Sequence, residues 1–179
     1  MEIILASLTL RAWAESDAAS LVRHANDPEV AKGLRDRFPQ PYTAADAEAW
    51  IAFCRSQPVA HSFAIDVGGE AVGSIGIETF SDIHRRTGEI GYWLGREVWG
   101  RGIATTAVIA VTQYGFEKLE LARVQAGVFE WNLASSRVLE KAGFTREGRL
   151  RHHVTKGDVV GDMIMYSRIP SDAAPAPSR

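Results

Sequence analysis

Apolar positions recur along the chain in two rhythms, and the change from one to the other separates strands from helices. Strand signals cover LTLRAW (8–13), HSFAIDV (61–67), EAVGSIGIETF (70–80), TGEIGYWLG (87–95) and RVQAGVF (123–129), with two more in TREGRLRHHV and VVGDMIMYSRI near the end. Gly68-Gly69 lies between the second and third of these and signals a hairpin turn. Helical spacing covers ESDAASLVRHAND, with Ser16 or Asp17 near its start, and Pro28 stands in the first turn of a short helix after it. Thr43 is a good N-cap for AADAEAWIAFCRSQ, in which Ala47, Trp50, Ile51 and Cys54 share a face. GIATTAVIAVTQYGFEKL (102–119) is apolar nearly all round, which predicts a buried helix on a sheet. Asn132 caps LASSRVLEKAGF, which closes at Gly143. The order is strand, helices, three strands, helix, strand, helix, two strands. That predicts an α+β fold built on a mixed sheet of about seven strands.

Composition narrows the class. The chain has 179 residues, 46% of them hydrophobic, and a net charge of −2 with no basic run. Residues 1–169 are expected to form one domain, residues 170–179 a disordered tail, and no nucleic-acid partner is implied. A single cysteine, Cys54, excludes an internal disulfide and a multi-cysteine zinc site, and reads as a buried, inert thiol. MEIILASLTLRAW lacks the basic start of a signal peptide, and no apolar run approaches ~18 residues, so a cytoplasmic protein without a membrane span is expected. His152 and His153 alternate across a strand and make a poor metal site; no metal is expected.

WLGREVWGRGIATTA (93–107) carries the most specific chemistry. Its glycines, Gly95, Gly100 and Gly102, fall just before the buried helix. A helix start leaves about four N–H groups unpaired and favours an anion ahead of them. Gly100 and Gly102 clear the approach, Arg101 adds a guanidinium, and Ile103, Ala104 and Thr105 complete the turn as a phosphate cradle. The alternative is a plain tight turn. A P-loop would need Lys-Ser or Lys-Thr after its last glycine, and none is present. A dinucleotide fingerprint would need a third small residue where Thr105 stands, although Glu130 occupies the place of a ribose-binding acid.

LTLRAW, ANDPEV, PYTAADAEAWI, AVGSIGIE, GEIGYWLGREVWGRGIATTA, NLASSRVLEKAGF and GDMIMYS, taken in this order, resemble the GNAT superfamily of N-acetyltransferases, and more closely its RimJ/RimL-like subgroup. Trp99 stands where the wider superfamily has Gln or Arg, a departure that is usual in this subgroup. The resemblance implies a strongly twisted sheet whose central strands splay around the pantetheine arm of acetyl-CoA, helped by a bulge near Gly91 or Gly95. It implies backbone partners for pantetheine at Trp93 and Leu94, pyrophosphate held at Gly100–Thr105, Asn132 near the arm and Ser135 near the sulfur. Acetyl-CoA is then a co-substrate and a primary amine, on a protein N-terminus or a small molecule, the acceptor, with a monomer or homodimer expected.

Acyl transfer to an amine needs a neutral nucleophile, a donor to the oxyanion and a proton for the leaving thiolate. Ser135 is the candidate for the last role, with Ser136, Tyr114 and Tyr166 behind it. Glu89 and then Glu78 are candidate bases: strand alternation brings them together if the hairpin pairs in register, and two close carboxylates would raise one pKa. Trp13, Trp50 and Trp131 read as core or interface residues, any of which could also shape an acceptor pocket, and His84 as a loop residue within reach of an acceptor. A non-catalytic acyl-CoA-binding module and a dinucleotide-binding protein remain the competing readings.

Overall fold

The computed structural model describes residues 2–57 and 61–173. Eight strands form one mixed sheet: β1 (Ile3–Ile4), β2 (Thr9–Arg11), β3 (Ser62–Val67), β4 (Glu70–Thr79), β5 (Thr87–Leu94), β6 (Arg123–Phe129), β7 (Thr145–Lys156) and β8 (Val159–Arg168), in the order β1-β2-β3-β4-β5-β6-β8-β7. The helices are α1 (Ala18–Ala25), α2 (Pro28–Ala31), α3 (Ala44–Ser56), α4 (Ile103–Glu117) and α5 (Leu133–Lys141). The α+β expectation holds, and each of the seven expected strands is present. The eighth, β1, is two residues long and pairs antiparallel with β2 through Ile3↔Leu10 and Ile4↔Thr9. Two residues are too few to show an alternation. The expected tail falls largely on residues 174–179, which lie outside the described residues.

The backbone divides into two compact units, Met1–Gly76 with Tyr92–Ala107, and Ile77–Gly91 with Val108–Arg179. In the first, β1 to β3 and the start of β4 pair antiparallel, with a bulge at Ile65/Asp66. Its core joins Trp13, Leu21, Ala25, Tyr42, Ala47, Ile51, Ala64 and Ala71, flanked by half-buried Phe38, Trp50, Cys54 and Trp93. Trp13 and Trp50 are thus core and core-flanking residues, as expected. Thr43 caps α3 in a reciprocal box: Asp46 N–H donates to Thr43 Oγ1 at 3.3 Å and Thr43 N–H to Asp46 Oδ2 at 2.8 Å. Arg11 ties β2 to its surroundings, donating from Nε to Asp66 Oδ2 at 2.7 Å and from Nη1 to Asp17 Oδ2 at 2.8 Å. Cys54 is half-buried rather than buried, and burial pushes its thiol up to about 11, so it stays protonated and unreactive at neutral pH.

In the second unit β6 and β8 pair antiparallel from Val124↔Arg168 to Phe129↔Met163, and β7 lies outside β8. The edge strand β7 has register breaks at Arg146/Gly148 and Leu150/Val154, and His152 sits at φ 50. The plain alternation expected across His152-His153 is therefore replaced by a bulge, one of the devices that blunt a sheet edge. The part of α4 in this unit carries fully buried Val108, Val111 and Thr112, matching the all-round apolar pattern. β5 and β6 run parallel, and their ladder covers Thr87↔Arg123, Gly88↔Val124 and Glu89↔Gln125, although both strands continue beyond it.

Arg123 holds Glu147 through both carboxylate oxygens, from Nη1 to Oε1 at 2.7 Å and from Nη2 to Oε2. The Arg123 guanidinium holds the Glu147 carboxyl well below its ordinary 4.5, at about 2. A depressed carboxylate pKa stabilises the fold above the ordinary value and loses that effect as pH falls through the lowered one. The urea midpoint of wild type should therefore exceed that of Glu147→Gln at pH 6, by less than about 1 kcal/mol for so exposed a pair. The difference should close between about pH 4.5 and pH 2.

Candidate functional site

Strand β5 ends at Leu94, a 3-10 turn spans Arg96–Val98, and α4 begins at Ile103. Between them Gly100 and Gly102 adopt φ +77 and +78, a left-handed conformation that glycine enters without strain. A Cβ at either position would meet nothing within 4 Å, so the turn is uncrowded at both glycines. The first bond of the helix is Thr106 N–H to Gly102 O at 3.0 Å. The N–H groups of Ile103, Ala104 and Thr105 precede that bond and have no intrahelical acceptor. All six cradle residues of the sequence reading, Gly100, Arg101, Gly102, Ile103, Ala104 and Thr105, thus lie on one turn of the first unit. Arg101 donates one Nη2 bond to Glu97 O at 2.9 Å, which bends its side chain back over the turn. A guanidinium has five donors, so this bond leaves most of its capacity for an anion.

Trp93 and Leu94 reach opposite edges of β5. The Trp93 carbonyl lies 2.3 Å from where a Cβ on Gly73 would stand, so it faces β4. Strand alternation turns the Leu94 carbonyl the other way, and there the indole N–H of Trp99 donates to it at 2.8 Å. The sequence marked Trp99 only as a departure from a pattern. Its bond to Leu94 crosses five positions of irregular chain, and no periodicity signals it.

The remaining candidates belong to the second unit. Asn132 is the N-cap of α5, its Oδ1 accepting from Ser135 N–H at 3.1 Å. Ser135 is half-buried in the first turn of that helix. Of the alternates, Tyr166 is buried and its hydroxyl donates to Glu140 Oε1 at 3.1 Å, a structural use. Phe80 N–H donates to Thr87 O at 3.1 Å, which in a regular antiparallel hairpin sets Glu78 opposite Glu89. Glu89 also pairs in register with Gln125 on β6. Glu78, Glu89 and Gln125 therefore form one row across the sheet, and Glu89 stands on the last rung before β5 and β6 cease to pair. Ile77 and Gly88, one position along on the two strands, pack toward Leu121 and Gly115 of α4, so the row faces away from that helix. Among the described residues no group of three His, Cys, Asp or Glu side chains could hold a metal, and no helix is long and apolar enough to cross a membrane.

Residues 7–145 match the family described as an acetyltransferase (GNAT) domain. An uncharacterized N-acetyltransferase, p20 of Bacillus licheniformis, is 34% identical over 171 residues, covering 93% of this chain and 95% of the relative. Among solved structures, a GNAT-family acetyltransferase from Bacillus anthracis superposes with a TM-score of 0.81 at 26% identity, over 94% of this chain and 98% of that one. RimL, a ribosomal L7/L12 alpha-N-protein acetyltransferase solved with coenzyme A, gives a TM-score of 0.82 at 21% identity over 94% and 98%. That last likeness is one of fold.

The cap at Asn132 can be separated from any other use of its amide. Asn132→Ala should cost about 1 kcal/mol of stability in urea unfolding, whereas Asn132→Asp, which keeps the accepting oxygen, should stay within about 0.5 kcal/mol of wild type.

Proposed function

The chain belongs to the GNAT acetyltransferase family and is an acetyl-CoA-dependent N-acetyltransferase; from that premise we propose that residues 1–169 act as one domain, that the turn Gly100–Thr105 holds the pyrophosphate of acetyl-CoA, and that the acceptor is the α-amine of a peptide. The observation that carries the donor assignment is the open turn itself: two left-handed glycines ahead of unpaired N–H groups, with no P-loop lysine. Such a turn binds a phosphate without activating it for transfer. That suits a donor whose reacting atom is a thioester carbon far from its phosphates.

Transfer proceeds by direct attack. The neutral amine adds to the thioester carbonyl, the nitrogen of the adduct gives its extra proton to a base, the oxyanion collapses as the C–S bond breaks, and coenzyme A leaves as a thiol once its sulfur takes a proton. The Ser135 hydroxyl, near the start of α5, is our candidate to donate to that sulfur. Asn132 donates from its NH2 group to the arm, and the β5 backbone at Trp93 and Leu94 lines the arm. Glu89 serves as base, directly or through water, with Glu78 second; the support is the place of Glu89 where the parallel ladder stops, opposite Glu78. A peptide α-amine, with an ordinary pKa of ~8, keeps a larger neutral fraction at pH 7 than a lysine-type amine at ~10.4 and asks less of such a base. Small amines are the second acceptor class. The reading places the protein in the cytoplasm, where acetyl-CoA is available.

Thiol release from acetyl-CoA should rise with a panel of N-terminal peptides and, less strongly, with small amines. A protein that binds coenzyme A tightly yet acetylates no member of either panel is a binding module, and the catalytic assignments fall. Ser135→Ala should lower kcat by about a hundredfold with the KM for acetyl-CoA within about threefold.

A further inference from the structure

His24 is almost fully buried, with 3% of its side chain exposed, and it lies in the last turn of α1. Two features set it apart from an ordinary core residue. Its ring is pressed against backbone: a Cβ at Gly95 would stand 2.3 Å from His24 Nδ1 and 2.7 Å from Cγ. No residue but glycine fits there unless the ring moves. The far side of the ring is tethered, because Nε2 lies 3.0 Å from Glu70 Oε1, an oxygen that the Arg23 guanidinium also engages. The ring is thus wedged on one side and anchored by an ion pair on the other.

Gly95 is where β5 gives way to the phosphate turn. Its N–H donates to Val72 O at 2.8 Å and its carbonyl accepts from Val98 N–H at 3.2 Å. Trp99 N–H then donates to Arg96 O at 3.2 Å, and Arg96 lies 3.7 Å from Asp27, just past α1. A short, bonded segment therefore runs from the His24 contact to Gly100, and the same helix end holds it twice.

We propose that His24 is a positioning residue for the acyl donor, acting through Gly95. The ring, oriented by Glu70 and Arg23, fixes where β5 ends and hence where the N–H groups of the Gly100–Thr105 turn point. This rests on the reading of that turn as the coenzyme A pyrophosphate site. A displacement of about 1 Å in such donors is enough to weaken binding severalfold or more. A residue that merely filled the core would change stability and leave donor affinity alone.

The test is calorimetric binding of coenzyme A, with steady-state kinetics and thermal unfolding on the same proteins. His24→Ala should raise the Kd for coenzyme A and the KM for acetyl-CoA about tenfold, while kcat at saturating donor and the KM for the amine stay within about twofold. Glu70→Gln leaves the ring in place, removes its charged anchor and should raise Kd about threefold; it decides the matter if His24→Ala does not fold. Gly95→Ala should weaken binding strongly, and adding His24→Ala should recover part of that loss, because the ring that the new methyl strikes is gone. Wild-type binding with a Kd within twofold in both His24→Ala and Glu70→Gln, whatever their melting temperatures, overturns the proposal. Wild-type protein that fails to bind coenzyme A at all instead overturns the reading of the turn.

Discussion

A helix cannot pair its own first N–H groups, and the turn between β5 and α4 is organised around that constraint. Helix α4 closes its first bond at Thr106, so the preceding amides must find partners outside the helix. Burying them under side chains would leave donors unsatisfied at a cost of about 1–3 kcal/mol each. The chain instead leads into them through left-handed glycines at positions 100 and 102, whose missing side chains leave their own surroundings clear. Within the first turn of α4 those amides point along the helix axis toward the turn that precedes it.

The second unit is organised around a strand ladder that stops. Parallel strands β5 and β6 share three rungs and then run on without further rungs. Glu89 occupies the last rung, with Glu78 on one flank and Gln125 on the other. A carboxylate at the end of a ladder stands on a backbone that the rungs before it hold in place. Asn132 shows a similar economy, spending its oxygen on the cap of α5 while its NH2 group remains chemically a donor.

Local chemistry made most of the fold legible. The reciprocal box at Thr43 and Asp46, the cap at Asn132 and the turn at Gly68-Gly69 are written in adjacent residues, and each appears where that chemistry requires. The turn ahead of α4 was legible for the same reason, since its glycines and its helix are contiguous. What escaped were features made through space or too short to repeat. The two residues of β1 carry no period. The bulge at His152 needs the partner strand to define it. The bond from Trp99 to Leu94 and the wedge of His24 against Gly95 join positions that no sequence rhythm links.

Trp99 has one more consequence. Its indole is 47% exposed, yet its N–H is tied to the end of β5, and its backbone leads directly into Gly100. Indole emission depends on the hydration and hydrogen bonding of that ring. The protein therefore carries a native optical probe within one residue of the turn, fixed at one end and wet at the other. An anion bound at the turn would change the surroundings of this chromophore, and that change would be read in solution with no label attached.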